Sequence, residues 1–109
     1  MKMAYATELV GTYFLVLTVG LTTLAQSPLA PLAIGSSLMI MVYMGGHVSG
    51  AHYNPAVTLA VWMRGKLPAR DVIPYWVAQL VGAVLAALTA LWWTGHTFAA
   101  ATGTDVSWG

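Results

Sequence analysis

The chain has 109 residues, of which 59% are hydrophobic and only 6% are charged, and its formal net charge is +1. An ordinary soluble domain carries roughly 25% charged residues, so this composition excludes a surface that faces water throughout and predicts lipid as the solvent for much of it. The small net charge excludes a broad basic surface for nucleic acid, and the absence of cysteine excludes disulfides, thiolate metal sites and cysteine nucleophiles.

The charges are unevenly distributed along the chain. No Asp, Glu, Lys or Arg occurs between Glu8 and Arg64, and a second charge-free run covers residues 72–104. Because a membrane-spanning helix needs about 20 apolar residues, the two runs together predict three crossings.

The first two crossings are separated by prolines. We predict the first spanning helix over residues 3–25, followed by a break at Pro28 and Pro31, where a turn and a helix restart are favoured. The second spanning helix is predicted over 32–47, because the Gly45-Gly46 pair argues against a much longer helix.

The next apolar segment is too short to cross a membrane. Asn54–Met63 has helix-compatible residues, but ten residues rise only about 15 Å, half of a hydrocarbon core of about 30 Å. Its ends are nevertheless well formed, with Asn54 as an N-cap and Pro55 at the first helical position. Residues 48–64 are therefore predicted to form a re-entrant loop and half-helix.

The third crossing is predicted over residues 69–93, where the Trp92-Trp93 pair is typical of the membrane interface, and a flexible tail is predicted over 94–109. Small residues recur at every fourth position of this helix and would allow close packing, against either a neighbouring helix or another subunit: Ala78, Gly82, Ala86 and Ala90.

The cationic residues test the re-entrant prediction. If residues 48–64 return to the side from which they enter, every Lys and Arg lies on one face: Lys2, Arg64, Lys66 and Arg70. This bias predicts a cytoplasmic N-terminus and an external C-terminus in a multi-pass protein of the cell membrane.

The loop before the half-helix has the features of a pore wall. Irregular backbone at membrane depth is tolerated only where it is buried in protein or lines water. Residues 48–53 can run extended toward the midplane and present their carbonyls in a row. Asn54 then lies at a helix N-terminus that carries roughly half a positive charge, which opposes cations and orients a water oxygen.

The residues from Ser49 to Thr58, Ser-Gly-Ala-His-Tyr-Asn-Pro-Ala-Val-Thr, resemble the signature of the aquaporin, or major intrinsic protein, family. The segment that begins at Glu8, Glu-Leu-Val-Gly-Thr, is similar to the acidic start of that family's first helix. The segment that begins at Gln79, Gln-Leu-Val-Gly-Ala, resembles its third helix. The resemblance covers nearly the whole chain, from about residue 4 to about residue 95.

The resemblance implies a role for each matched residue. Asn54 would be the pore amide, with Pro55 and Ala56 shaping the contact of the half-helix. Glu8 and Gln79 would brace the loop by hydrogen bonds. The carbonyls lining one side of the path would be those of Gly50, Ala51, His52 and Tyr53.

One position departs from the family pattern. Ile34 stands where the family's narrow filter often has an aromatic residue, which implies a wider or more apolar constriction. From the residues alone, Glu8 could also lie at the headgroup level, and Gln79 could simply make an interhelical hydrogen bond.

We therefore predict an all-α membrane protein with three transmembrane helices and one re-entrant half-helix, half of an aquaporin-like inverted-repeat fold. The predicted function is a channel component for passive transport of water or small neutral solutes, incomplete without a second half. Water, glycerol-like polyols, ammonia and peroxide stay open as solutes. The expected partners are the lipid bilayer and a second half-channel or homo-oligomer. The alternative is a non-conducting module that packs with a full-length relative.

No catalytic, cofactor or metal site is predicted. No nucleophile–base–acid set can be placed, so the chain is not expected to be an enzyme. The five-residue spacing of His47 and His52 does not suit a helical metal pair, and no carboxylate lies nearby in sequence. Hydrogen bonding of these rings to loop backbone is the prediction.

Overall fold

The computed structural model describes residues 2–95 and folds them into helices, with no strand in that range. Most of the predicted tail, residues 96–109, lies outside the described residues. The helices are α1 (Lys2–Leu24), α2 (Ala30–Ser49), α3 (Pro55–Met63) and α4 (Ala69–Thr94).

Three of these helices have the length and composition of membrane spans: α1, α2 and α4. The nine residues of α3 rise only about 14 Å, less than half of a bilayer core. The all-α membrane fold predicted from the sequence is confirmed, and the chain is a multi-pass membrane protein.

The helix α2 continues past the glycine pair that suggested its end. It runs to Ser49 and closes at Gly50, whose φ of +86° is left-handed and whose N–H donates to the carbonyl of Gly46 at 3.1 Å. Gly45 serves packing instead of termination, because a side chain there would meet the ring and hydroxyl of Tyr53.

The half-helix α3 has the caps that its sequence predicts. The Asn54 Oδ1 accepts a hydrogen bond of 2.7 Å from the N–H of Ala56, and Pro55 is the first helical residue. The helix ends at Arg64, whose N–H donates to the carbonyl of Ala60 at 3.0 Å.

The helices pack around α1, which contacts both α2 and α4, while α3 contacts α4. The Tyr5 hydroxyl donates to Asp71 Oδ1 at 2.7 Å, and further along Tyr13 Oη and Thr89 Oγ1 lie 2.9 Å apart. Both pairs follow the same order along the two helices, so α1 and α4 run parallel and start at the same end of the bundle. Only five residues, 64–68, separate the end of α3 from the start of α4, so the segment between α2 and α4 returns to the end of the bundle at which α4 begins.

The stripe of small residues on α4 faces α1 of the same chain. All four positions are buried. At Gly82, an added Cβ would overlap the carbonyl oxygen of Leu9 and lie 3.1 Å from the backbone nitrogen of Tyr13. The neighbouring-helix alternative is therefore correct for this stripe, and backbone-to-backbone approach is its purpose.

Candidate functional site: the re-entrant loop

A single buried carboxylate organises the loop between α2 and α3. Glu8 has no exposed surface. Its Oε2 accepts from the Ser49 hydroxyl at 2.7 Å and from the His52 N–H at 3.0 Å. Its Oε1 accepts from the Tyr53 N–H at 2.8 Å and from Gln79 Nε2 at 2.8 Å. One side chain of α1 thus ties the loop to α2 and α4 at once.

The backbone N–H groups of the loop donate to buried side chains, whereas its carbonyl oxygens make no hydrogen bond in the described part of the chain. The N–H of Ala51 donates to the Ser49 hydroxyl at 3.1 Å, and those of the next two residues go to Glu8. Within residues 2–95, no hydrogen bond ends on the four carbonyl oxygens of the loop, those of Gly50, Ala51, His52 and Tyr53. A carbonyl without a partner in the protein needs water or another donor, so this face of the loop is available to one.

The sequence suggested an extended backbone for residues 48–53. In the structure the loop backbone is instead left-handed at several positions. Ala51 has φ +56° and Tyr53 has φ +53°. Residues with a Cβ pay roughly 1–2 kcal/mol each for this conformation. The hydrogen bonds that end on Glu8 and Ser49 hold the loop in it, so the strain depends on the bracing.

The side chain of Tyr53 anchors the loop to α1 and α2. It is 3% exposed and lies in a slot where two helices carry glycine. A Cβ at Gly11 would overlap the Tyr53 ring, and a Cβ at Gly45 would overlap its hydroxyl. That hydroxyl donates to the carbonyl of Met41 at 2.7 Å. The slot therefore fixes the position of Tyr53, the residue immediately before Asn54.

Substitution of Gly45 by Ala is expected to displace Tyr53 and to lower the free energy of unfolding by about 1–3 kcal/mol, since overpacking a fitted site costs that much. Gly46→Ala is the matched control, because an added Cβ at Gly46 would meet only Val42 Cγ1, at 4.0 Å. Thermal unfolding in detergent micelles, followed by circular dichroism, compares the two variants. Equal unfolding temperatures for Gly45→Ala and Gly46→Ala would contradict the close contact between Gly45 and Tyr53.

A second buried polar cluster supports the loop from α3 and α4. Gln79, 1% exposed, donates through Nε2 to Glu8 and also to the Thr58 hydroxyl at 2.8 Å. The same Thr58 oxygen lies 2.9 Å from Nδ1 of His52. The ring of His52 also packs against Tyr75, with ring centroids 4.9 Å apart. Both α3 and the loop are thereby fixed to α4.

Asn54 is exposed at the start of α3 beside an open groove of about 340 Å³. Its amide oxygen is used by the cap, while its NH₂ group makes no hydrogen bond within residues 2–95. Pro55 is exposed as well, and its carbonyl accepts from Trp76 Nε1 at 3.1 Å. Ala56 is also exposed. The amide of Asn54 is therefore available to a molecule in the groove.

A larger groove of about 670 Å³ opens on the other side of the loop. Its wall includes Gly50 and His52 from the loop, and its rim carries three exposed cations. None of these cations makes an ion pair in the described part of the chain: Arg64, Lys66 and Arg70.

The remaining predicted residues lie away from this cluster. Ile34 is half-buried in the second turn of α2, at the end of that helix opposite the loop. His47 is exposed in the last turn of α2. Over the described range, no group of three His, Asp, Glu or Cys side chains could hold a metal ion.

Sequence reasoning did not assign roles to Ser49, Thr58, Asp71 and Tyr75. Thr58 could have been singled out from the sequence, because it is the one hydroxyl residue on an otherwise apolar half-helix. Tyr75 donates to the Ser49 carbonyl at 2.8 Å, and Asp71 is buried with Oδ2 unpartnered within residues 2–95. These last contacts depend on how helices cross, which spacing alone does not give.

The chain is similar to known channel proteins. The family model described as "Major intrinsic protein" matches residues 1–107. Aquaporin Z of Brucella melitensis biotype 1 is 54% identical over 56 residues, which cover 51% of this chain and 25% of that protein. Aquaporin NIP1-1 of Oryza sativa subsp. japonica is 46% identical over 90 residues, 75% of this chain and 32% of that protein.

A third relative shows a similar level of identity. Aquaporin AqpM of Methanothermobacter thermautotrophicus is 46% identical over 68 residues, 62% of this chain and 28% of that protein. The chain spans about a quarter to a third of the length of the curated relatives it matches.

Proposed function

Since the chain belongs to the major intrinsic protein family, a family of water and solute channels, we propose that it forms one side of a membrane channel for passive movement of water or small neutral solutes. The observation that carries the proposal is the polarity of the loop. The N–H groups of the loop donate to Glu8 and Ser49. Within residues 2–95 its carbonyls accept no hydrogen bond, and the NH₂ of Asn54, at the helix N-terminus, donates none.

A path of this kind suits neutral molecules that both donate and accept hydrogen bonds. The carbonyls of the loop accept from such a solute, and the amide of Asn54 donates to it. The positive end of α3 opposes cations at the same depth. Ile34, at the far end of α2, favours an apolar constriction, which leaves water, polyols, ammonia and peroxide as candidate solutes. A channel role requires neither catalysis nor a cofactor.

The second wall of the path is proposed to come from another segment. The grooves beside Asn54 and the loop are open in the described residues, and the chain covers only a quarter to a third of its curated relatives. In this family two inverted repeats face each other. A second half-channel or a further copy would close the path.

Osmotic shrinkage of lipid vesicles, followed by stopped-flow light scattering, tests the proposal. The full chain is reconstituted alone and together with the second half of a full-length aquaporin. We expect the co-reconstituted vesicles to shrink faster than empty ones. Asn54→Asp should return the rate to that of empty vesicles, because it keeps the capping oxygen but replaces the NH₂ donor with a charged acceptor.

Two outcomes separate the alternatives. Stable association with the second half but no permeability would favour a non-conducting module that packs with a full-length relative. Rapid shrinkage with the 109-residue chain alone would mean that copies of this chain complete the path for one another. An unchanged rate in Asn54→Asp would contradict the role of the amide.

The orientation is proposed from the cations. Lys2, Arg64, Lys66 and Arg70 favour a cytoplasmic face for the N-terminus, and the loop around Ser27 would then be external. The chain has no cysteine, so single Lys66→Cys and Ser27→Cys variants are clean probes. In intact cells a membrane-impermeant thiol reagent should label the Ser27→Cys variant only. Labelling of the Lys66→Cys variant from outside would reverse the orientation.

A further inference from the structure

The hydrogen bonds around Gln79 have a fixed direction. Glu8 offers a carboxylate, which accepts only, and three other donors already converge on it. The amide of Gln79 must therefore present its NH₂ group to Glu8. The second hydrogen of the same NH₂ then points to Thr58 Oγ1, 2.8 Å away. Thr58 is an acceptor toward Gln79.

This direction continues from Thr58 to His52. Thr58 has no exposed surface, and its hydroxyl has two neighbours within hydrogen-bond distance, Gln79 Nε2 and His52 Nδ1. If Nδ1 carried a proton, the hydroxyl would accept twice, and its own proton would be buried without an acceptor. A buried donor without an acceptor is strongly disfavoured. Nδ1 is thus the acceptor and Thr58 the donor.

We infer that Thr58 is a positioning residue that holds the neutral His52 ring with its proton on Nε2, and that this Nε2–H is a binding site for an oxygen acceptor in the groove of about 670 Å³. The ring lines that groove with Gly50. An added Cβ at Gly50 would lie 3.1 Å from Nε2, so the absence of a side chain at Gly50 leaves room beside it. No hydrogen bond within residues 2–95 uses Nε2.

The site takes a neutral oxygen acceptor, such as water or the hydroxyl of a small solute. This assignment rests on the proposed function only for the identity of the ligand. Gly50 lines the same groove, and its carbonyl accepts no hydrogen bond within residues 2–95, so the groove offers a hydroxyl both a donor and an acceptor. An ammonium ion has donors but no acceptor, gains nothing from Nε2–H, and meets the rim cations Arg64, Lys66 and Arg70.

Nitrogen-15 NMR of the histidine rings tests the inference in the full chain, reconstituted in lipid at pH 8, where an ordinary histidine of pKa about 6.5 is neutral. A background with His47→Gln and His96→Gln leaves His52 as the labelled ring. We expect a protonated Nε2, and an unprotonated Nδ1 whose resonance is shifted by the accepted hydrogen bond. A protonated Nδ1 would overturn the inference without any variant.

Two variants of Thr58 separate positioning from packing. Thr58→Ser keeps the hydroxyl and should keep the shifted Nδ1 resonance. Thr58→Val keeps the shape, and Nδ1 should move to the position of a ring that accepts no hydrogen bond, with the second tautomer appearing. A spectrum of Thr58→Val equal to that of the unsubstituted chain would also overturn the inference.

A separate measurement tests whether the Nε2–H of His52 faces an oxygen acceptor in the groove. Magnetisation transfer from water to the Nε2–H should be seen in the chain and weakened when the groove is narrowed by Val48→Trp, because Val48 lines the same groove from the last turn of α2 and is itself exposed. Absence of transfer in the unsubstituted chain would contradict an acceptor site at Nε2. None of these spectra depends on transport, so the expected spectra in a chain that conducts nothing even together with the second half of a full-length aquaporin would reject the channel proposal and keep the role of Thr58.

Discussion

Replacement of Glu8 by Gln is expected to lower the free energy of unfolding by roughly 2–6 kcal/mol, since each of two buried donors left without an acceptor costs about 1–3 kcal/mol. Four donors converge on the carboxylate, and two of them are backbone N–H groups of the loop that cannot rotate away. An amide at this position supplies one acceptor oxygen and turns an NH₂ group toward other donors. At least two donors then lose their acceptor in a buried site.

Asp71→Asn is the matched control for Glu8→Gln. It is also an isosteric change of a buried acid, but within residues 2–95 the Asp71 side chain accepts a single hydrogen bond, from Tyr5, which the amide oxygen still accepts. We expect this change to cost less than half as much. Thermal unfolding of both variants in detergent micelles gives the comparison, and similar losses would mean that Glu8 does not brace the loop as its geometry indicates.

Substitution of Gly82 by Val is the second change with a large expected effect, a loss of about 3 kcal/mol or more in the free energy of unfolding. The Cβ would overlap the Leu9 carbonyl and press on the backbone nitrogen of Tyr13. Because both contacts are backbone, no side-chain rotation relieves them. The helices α1 and α4 must separate, which also carries Gln79 away from Glu8.

Gly35→Ala is the control for Gly82→Val, since nothing lies within 4 Å of a Cβ added there. Ala in an open helix position is expected to stabilise by roughly 0.5–1 kcal/mol relative to Gly. The two helical glycines should thus respond with opposite signs when unfolding temperatures are measured. A destabilising effect at Gly35 would point to a contact outside the described residues.

Local features of the fold were predictable from the sequence. The cap at Asn54, the proline that follows it and the length of α3 depend on neighbouring residues only, and the structure has all three. The charge-free runs likewise predicted three helices long enough to span, as found. The family resemblance pointed to Glu8 and Gln79 as bracing residues, and both are buried at the loop.

The rest could not be predicted because it depends on how distant segments meet. The glycine pair at the end of α2 was interpreted as a terminator, whereas Gly45 makes room for Tyr53. The small-residue stripe was compatible with two partners until the crossing of α1 and α4 was known. Thr58 gains its importance only when Gln79 and His52 are brought to the same oxygen.

The hydrogen bonds of Glu8 also set an order for biosynthesis. Chains are made from the N-terminus, so the carboxylate is synthesised 41 residues before the Ser49 hydroxyl and 71 before the Gln79 amide that it binds. Until α4 emerges, α1 carries a carboxylate without its full set of donors, which is costly in hydrocarbon. We therefore expect the nascent α1 to stay near water or the insertion machinery until residue 79 is made. The membrane integration of α1 is then expected to be complete only after α4 has been made.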